Sequence, residues 1–343
     1  MPVQKAGRGR AAILAAVINA RVLLAVAGKP VGVDNAPSLS RAAGVNYPDL
    51  SKEIFAYGPF ALRWYGLAYL AGFITAWWLA KYRARSLAGW TDLGISDLIF
   101  YCALGVILGG RLGYVLFYGL DMAIADPLWV FKVWTGGMSF HGGVLGVIAA
   151  IFYFAHRNGK PVLEVADFVT PFVPVGQLFG RLANFVNTEL PGRVTSVPWG
   201  LHYPCDVVRG FDASCVGLYE NVARHPSPLY QAATEGVLLG VVMWLFIRRP
   251  RPMGTVSGLF LMGYGAARLF TEMFRQPDVQ IGLIGGVSMG QLLSMPMVVG
   301  GLGLFVWALR FSRPPALKAL GITASAETAP VVQPRNKPKP ARK

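Results

Sequence analysis

The stretch DFVTPFVPVGQLFGRLANFVN, residues 167–187, decides what kind of fold this chain adopts. It is long and apolar enough to cross a bilayer, which takes about 20 helical residues. Yet it carries Pro171, Pro174, Gln177, Arg181 and Asn184. In hydrocarbon, backbone groups freed by a proline are tolerated only where protein or an aqueous cavity satisfies them. An arginine in such a span is costly and faces the interior of a bundle. This one stretch implies neighbouring helices and a polar interior between them.

The neighbours are present. Apolar blocks at 59–80, 95–118, 139–155, 227–247, 254–274 and 288–311 join 167–187 to make about seven expected spans, an all-α polytopic membrane protein. Composition agrees: hydrophobic residues make up 54% of the 343 and charged residues only 14%, where a soluble domain carries about 25% charged. The net charge of +15 does not imply nucleic acid. Its arginines and lysines sit at block ends, as in Lys81-Tyr82-Arg83-Ala84-Arg85, Arg157/Lys160 and Arg248-Arg249-Pro250-Arg251. That is the positive-inside pattern, and it puts these turns and the C-terminal tail in the cytoplasm, with the body starting on the periplasmic side.

The connection 188–226 is long enough for a small periplasmic cap between helices four and five. Its Pro191-Gly192, Pro198-Trp199-Gly200 and His202-Tyr203-Pro204 imply turns and short strands. Cys205 and Cys215 share this loop, and the sequence leaves a disulfide between them open; Cys102 lies in an apolar block as a small buried hydrophobe. Residues 1–50 form an N-terminal extension. They read as dispensable, against the alternative of a signal-like or eighth span over residues 11–28, which Arg21 disfavours. Residues 51–312 form the transmembrane catalytic domain, and 313–343, rich in Pro, Ala and Lys, a disordered basic cytoplasmic tail.

Helix geometry groups the polar residues inside the spans. Positions three, four or seven apart share a face. Gln177, Arg181, Asn184 and Thr188 therefore line one side of the fourth span, and Tyr264, Arg268 and Glu272 one side of the sixth; Gln231 and Glu235 are further polar residues in the fifth. Arg268 and Glu272 can neutralise each other, whereas Arg181 has no partner on its own helix. Two interior arginines need an anion. Glu189 is a protein candidate, and a lipid phosphate is the sharper one, because guanidinium forks bind phosphate oxygens in pairs. His141 opens the short third span within GGMSFHGG, residues 136–143. An imidazole at a glycine-rich membrane edge is placed to take a proton near neutral pH. Gly105, Gly109, Gly110 and Gly113 are spaced as small-residue helix contacts.

At GRLANFVNTELPG, residues 180–192, the sequence resembles the signature of the prolipoprotein diacylglyceryl transferase family. Arg63-Trp64-Tyr65-Gly66, His141-Gly142-Gly143, His225-Pro226-Ser227-Pro228-Leu229-Tyr230 and Arg275-Gln276-Pro277-Asp278 are similar to further family blocks in the same order. The resemblance implies transfer of diacylglyceryl from phosphatidylglycerol to the lipobox cysteine of a prolipoprotein signal peptide, forming a thioether and releasing glycerol phosphate. It implies the bacterial inner membrane and its lipids as surroundings, and calls for no metal or organic cofactor. Carried over by motif, Arg181 binds the headgroup and Arg268 is the second essential arginine. His141, Tyr264 and Glu272 join them in catalysis, and Tyr65, Asn184, Glu189, Gly192 and Gly142 in substrate binding. Arg63, where some relatives carry histidine, receives no role. Two rivals stand beside this reading: a lipid or small-anion transporter using the same arginines, disfavoured by the lack of an internal repeat, and an intramembrane serine protease built on Ser139, which lacks a partnering histidine.

Overall fold

A computed structural model describes residues 44–315, apart from 49, 58–59, 134–135, 210–214, 216, 278–282 and 285. Residues 1–43 of the N-terminal extension, nearly all of the basic tail and Asp278 lie outside the described residues. Helices dominate: α1 Trp64–Ala84, α2 Asp92–Tyr118, α3 Phe140–Arg157, α4 Val162–Val186, α5 Ser227–Phe246, α6 Thr255–Glu272 and α7 Met289–Phe311. Among the described residues, five of these (α2, α3, α4, α5 and α7) are long and apolar enough to cross a membrane. Only 17% to 33% of their apolar windows is buried inside protein. Leu145 and Val299, for example, are 66% and 71% exposed. A water-soluble protein does not show apolar surface on this scale; a bilayer supplies the matching solvent, and the chain is a multi-pass membrane protein.

Two expected boundaries move. The first helix begins at Trp64, not Pro59, because the preceding residues pair as an antiparallel hairpin, β2 Glu53–Tyr57 with β3 Phe60–Arg63. The fourth begins at Val162, five residues before Asp167, and is interrupted where the prolines demand: a 3₁₀ turn over Thr170–Phe172 separates Val162–Val169 from Val173–Val186. The fifth carries a distortion that the sequence did not announce, a π-helical segment over Ala232–Leu238.

Helix contacts follow small residues. α2 packs on α3 and α6 on α7. A Cβ at Gly105 would stand 2.5 Å from the Gly146 carbonyl oxygen, and one at Gly301 would stand 2.7 Å from Met262 N. The backbones approach so closely that only glycine fits, the arrangement by which membrane helices gain packing energy. Between α1 and α4, Trp90 stacks on Phe168 with centroids 3.7 Å apart and closes an apolar cluster with Phe154 and Ile95.

The 188–226 connection folds with the segment before α1. A four-stranded sheet runs β1–β5–β6–β4, with β1 Val45–Asn46 parallel to β5 Leu201–His202 and β6 Ala223–Arg224 antiparallel to both β5 and β4 Val194–Thr195. Its small core is Tyr47, Tyr203 and Val208. Cys205 and Cys215, left open by the sequence, are disulfide-bonded with Cα atoms 5.5 Å apart. A buried Arg224–Glu220 pair, at 2.7 and 2.6 Å, completes it. A short hairpin, β7 Leu283–Ile284 with β8 Val287–Ser288, leads into α7.

Candidate active site

The arginine of α4 and that of α6 meet on one carboxylate. Arg181 donates from Nε and Nη2 to Glu235 Oε2 at 3.1 and 3.0 Å. Glu235, fully buried within the π segment of α5, also accepts from Thr271 Oγ1 at 3.3 Å through Oε1. Arg268 Nη1 stands 3.7 Å from that same Oε1, and its Nη2 lies 2.9 Å from Glu272 Oε2. Glu272 in turn accepts from Ser288 Oγ at 3.1 Å and faces Arg275 Nη1 at 3.8 Å. The result is an alternating row, Arg181–Glu235–Arg268–Glu272–Arg275, with the Tyr264 side chain among its first members.

The protein anion beside Arg181 is Glu235 of α5, 54 residues away in sequence, and not the candidate Glu189. The row is nevertheless incomplete. At 3.7 Å the contact from Arg268 Nη1 to Glu235 is too long for a hydrogen bond, and this buried nitrogen has no hydrogen-bond partner among the described residues. Both amide atoms of Gln231, one turn before Glu235 and fully buried, are equally unpartnered among them. Buried donors without acceptors are rare and point to a ligand. Gly290 lets the Glu272 carboxylate pack against α7, since a Cβ there would stand 2.7 Å from it.

A second cluster adjoins the first at the end of α4. Asn184 Nδ2 donates to Tyr65 OH at 2.7 Å and to Glu189 Oε2 at 2.6 Å. Asn187 Nδ2 reaches Glu189 Oε1 at 3.3 Å. Glu189 is exposed and is held between two residues of positive φ, Thr188 and Leu190, both at 58°. Two side-chain-bearing residues in the left-handed region within three positions store strain, and Ser227 Oγ fastens the turn by donating to Leu190 O at 2.6 Å. Gly192 is needed for a different reason: it bridges to Arg275, and a Cβ there would stand 2.7 Å from Phe274 O.

His141 stands apart. It is exposed on the first turn of α3, and among the described residues no hydrogen bond or ion pair ties it to the arginine row. Ser139 caps that helix by accepting from Gly142 N at 3.2 Å, which gives the serine a structural task. Gly142 is buried against α2, where a Cβ would stand 3.0 Å from Gly113 Cα. The loop before His141 is clamped by buried Arg111. Its Nε donates to Val130 O at 2.9 Å, Nη1 to Gly136 O at 2.6 Å and Nη2 to Trp129 O at 2.6 Å. His225, outside the spans, faces Tyr230 OH at 3.1 Å and Phe274, and partial burial lowers its pKa.

The family model described as prolipoprotein diacylglyceryl transferase matches residues 52–307. The chain belongs to the prolipoprotein diacylglyceryl transferase family. It is 53% identical over 266 residues to a phosphatidylglycerol–prolipoprotein diacylglyceryl transferase of Vibrio vulnificus, covering 77% of this chain and 93% of the relative. The enzyme of the same name from Pseudoalteromonas atlantica is 49% identical over 288 residues, covering 82% and 97%. That of Vibrio cholerae is 51% identical over 268 residues, covering 78% and 94%. Every site residue named above falls within the matched span.

Proposed function

We propose that this membrane transferase moves the diacylglyceryl group of phosphatidylglycerol onto the lipobox cysteine of a prolipoprotein, with Arg181 and Arg268 holding the phosphate. The buried, unpartnered Arg268 Nη1 carries this assignment. A phosphate oxygen between the two guanidinium groups supplies the missing acceptor, while Glu235 holds Arg181 and Glu272 holds Arg268 before substrate arrives.

The chemistry follows from the bonds exchanged. The cysteine sulfur attacks a glyceryl carbon, a C–S bond forms, the C–O bond to phosphate breaks, and glycerol phosphate leaves with the electron pair. A thiol is mostly protonated near neutral pH, so a base speeds the attack; His141, accessible at the mouth of α3, takes that role. Charge grows on the departing phosphate, and pre-arranged guanidinium groups away from water stabilise it best. Tyr65, Asn184 and Glu189 then form the adjoining wall for headgroup or peptide, with Tyr264 and Glu272 orienting the arginines. In this reading all seven helices span the inner membrane. The disulfide-bonded cap of β1 and β4–β6 faces the periplasm and the arginine-rich turns face the cytoplasm, as the charge distribution requires.

The test is transfer of radiolabelled diacylglyceryl to a lipobox peptide by wild type and by Arg268→Lys, which keeps charge but lacks the fork. Loss of about a hundredfold in kcat/KM, with a cysteine-to-serine peptide inert, supports the reading. Wild-type protein that moves phosphatidylglycerol between leaflets without modifying any peptide would instead favour the transporter.

A further inference from the structure

The helical body has a second charged region, at the helix ends away from Glu189 and Gly192. A cavity of about 930 Å³ opens among the C-terminal ends of α1 and α5 and the N-terminal ends of α4 and α6. Five guanidinium groups line it: Arg83, Arg85, Arg248, Arg249 and Arg251. Two carboxylates face the same space, Glu164 and Asp167, and both are engaged. Glu164 Oε1 accepts from Lys160 at 2.7 Å, while Asp167 accepts from Gly254 N at 2.7 Å and from Ser257 N and Oγ at 2.8 and 2.6 Å. Among the described residues, none of the five arginines forms an ion pair with a carboxylate.

The arginines divide into two groups. Arg83 is held, its Nη1 donating to Asp167 O and Phe168 O at 2.8 and 3.1 Å, and Arg251 donates from Nε to Phe246 O at 3.0 Å. Arg85, Arg248 and Arg249 are exposed at the rim. Like charges gathered on one hollow repel, and an anion inside relieves the repulsion. An aromatic track leads away from it. Trp244 and Tyr82 line the cavity with ring centroids 6.1 Å apart, and Tyr82 stacks at 6.5 Å on Trp78, which is 62% exposed on the surface of α1.

A guanidinium cluster continued by an apolar track matches the two halves of a phospholipid, a phosphodiester and its acyl chains. A free phosphate would use the arginines and leave the track idle. The chain that continues past the rim at Pro315 is no electrostatic rival, since residues 316–343 hold six Lys/Arg and one Glu. We propose that this cavity binds the headgroup of an anionic phospholipid. The site is distinct from the arginine row: Asp167 and Arg181 lie 14 residues apart on α4, about 20 Å along a helix. It does not depend on the catalytic assignment.

Native mass spectrometry of the full chain, released from detergent with phosphatidylglycerol or phosphatidylcholine, tests this. The wild type is compared with the triple variant Arg85→Gln/Arg248→Gln/Arg249→Gln, so that lipid at the catalytic row is common to both and cancels. Near a membrane surface each basic residue is worth about fivefold in anion affinity, so the triple variant should bind one phosphatidylglycerol about a hundredfold more weakly. Each of Arg248→Gln and Arg249→Gln alone should weaken it about fivefold, and phosphatidylcholine retention should not change. Excess inorganic phosphate should leave the lipid in place. Equal phosphatidylglycerol retention by wild type and variants would overturn the proposal. So would displacement by inorganic phosphate, which would mark a free-anion site, or an equal loss in Arg157→Gln, which would mark a net-charge effect.

Discussion

Glu235 is the residue on which the arginine row depends, and removing it has a calculable effect. In Glu235→Ala, Arg181 loses two hydrogen bonds of 3.1 and 3.0 Å and Arg268 keeps Glu272 but loses the carboxylate 3.7 Å from its Nη1. Arg181 and Arg268 side chains are only 16% and 11% exposed, so water cannot replace the carboxylate. Deleting one partner of a buried pair costs about 3–5 kcal/mol, most of it the charge left behind. Glu235→Gln keeps the shape and one acceptor. It leaves an ionised donor facing a neutral acceptor, which weakens each of the two bonds by about 1 kcal/mol, so about 2 kcal/mol is expected. Both variants should lose transfer activity, because Arg181 is no longer fixed, and alanine should lose more. Denaturant unfolding in detergent, run beside the peptide transfer assay, reads both effects. An alanine variant within about 1 kcal/mol of wild type and fully active would refute the reasoning.

Other outcomes follow from the same geometry. Arg111→Met removes three hydrogen bonds that clamp the carbonyls of Trp129, Val130 and Gly136; at about 1 kcal/mol each a loss of about 3 kcal/mol is expected, with proteolysis appearing first in the loop before His141. Gly142→Leu forces α3 off α2, where even a Cβ would meet Gly113 Cα at 3.0 Å, and should cost about 1–3 kcal/mol by the same unfolding measurement. Reduction, or Cys205→Ser with Cys215→Ser, opens a loop with a sequence separation of 10 and should lower stability by about 3 kcal/mol. Burial raises the Tyr47 phenol from 10.0 to about 12, outside the spans. The unfolded chain therefore releases this proton before the folded one, so stability falls as pH rises from about 10 towards about 12. Tyr47→Phe should flatten that limb of the pH–stability curve.

Much of this was legible in the sequence, for physical reasons. Arg181, Arg268 and Glu272 declared themselves because charge is rare inside an apolar span, and their three- and four-residue spacing gave the faces that meet. The glycines of α2 showed the spacing of a helix contact, and the structure places them against α3. The partner of Arg181 stayed hidden, since a carboxylate 54 residues away pairs only once the helices are packed. Glu235 stood out as a charge in an apolar block without a basic neighbour one turn away, which was the available signal. The π segment around it has no sequence signature. Arg111 was equally opaque, because its partners are backbone carbonyls. The second strand of the hairpin before α1, Phe60–Arg63, was read as helix because it is nearly as apolar as the span it precedes.

In the proposed mechanism Arg181 and Arg268 together hold the phosphate that leaves. Single-turnover transfer from phosphatidylglycerol to a lipobox peptide, measured for wild type, Arg181→Ala, Arg268→Ala and the double variant, tests it most directly. Each single loss should slow the chemical step by about a hundredfold to a thousandfold. The double variant should be barely slower than either single one, because both groups act on one phosphate. Losses that multiply in the double variant, or an Arg181→Ala enzyme that is folded and transfers at the wild-type rate, would contradict the claim.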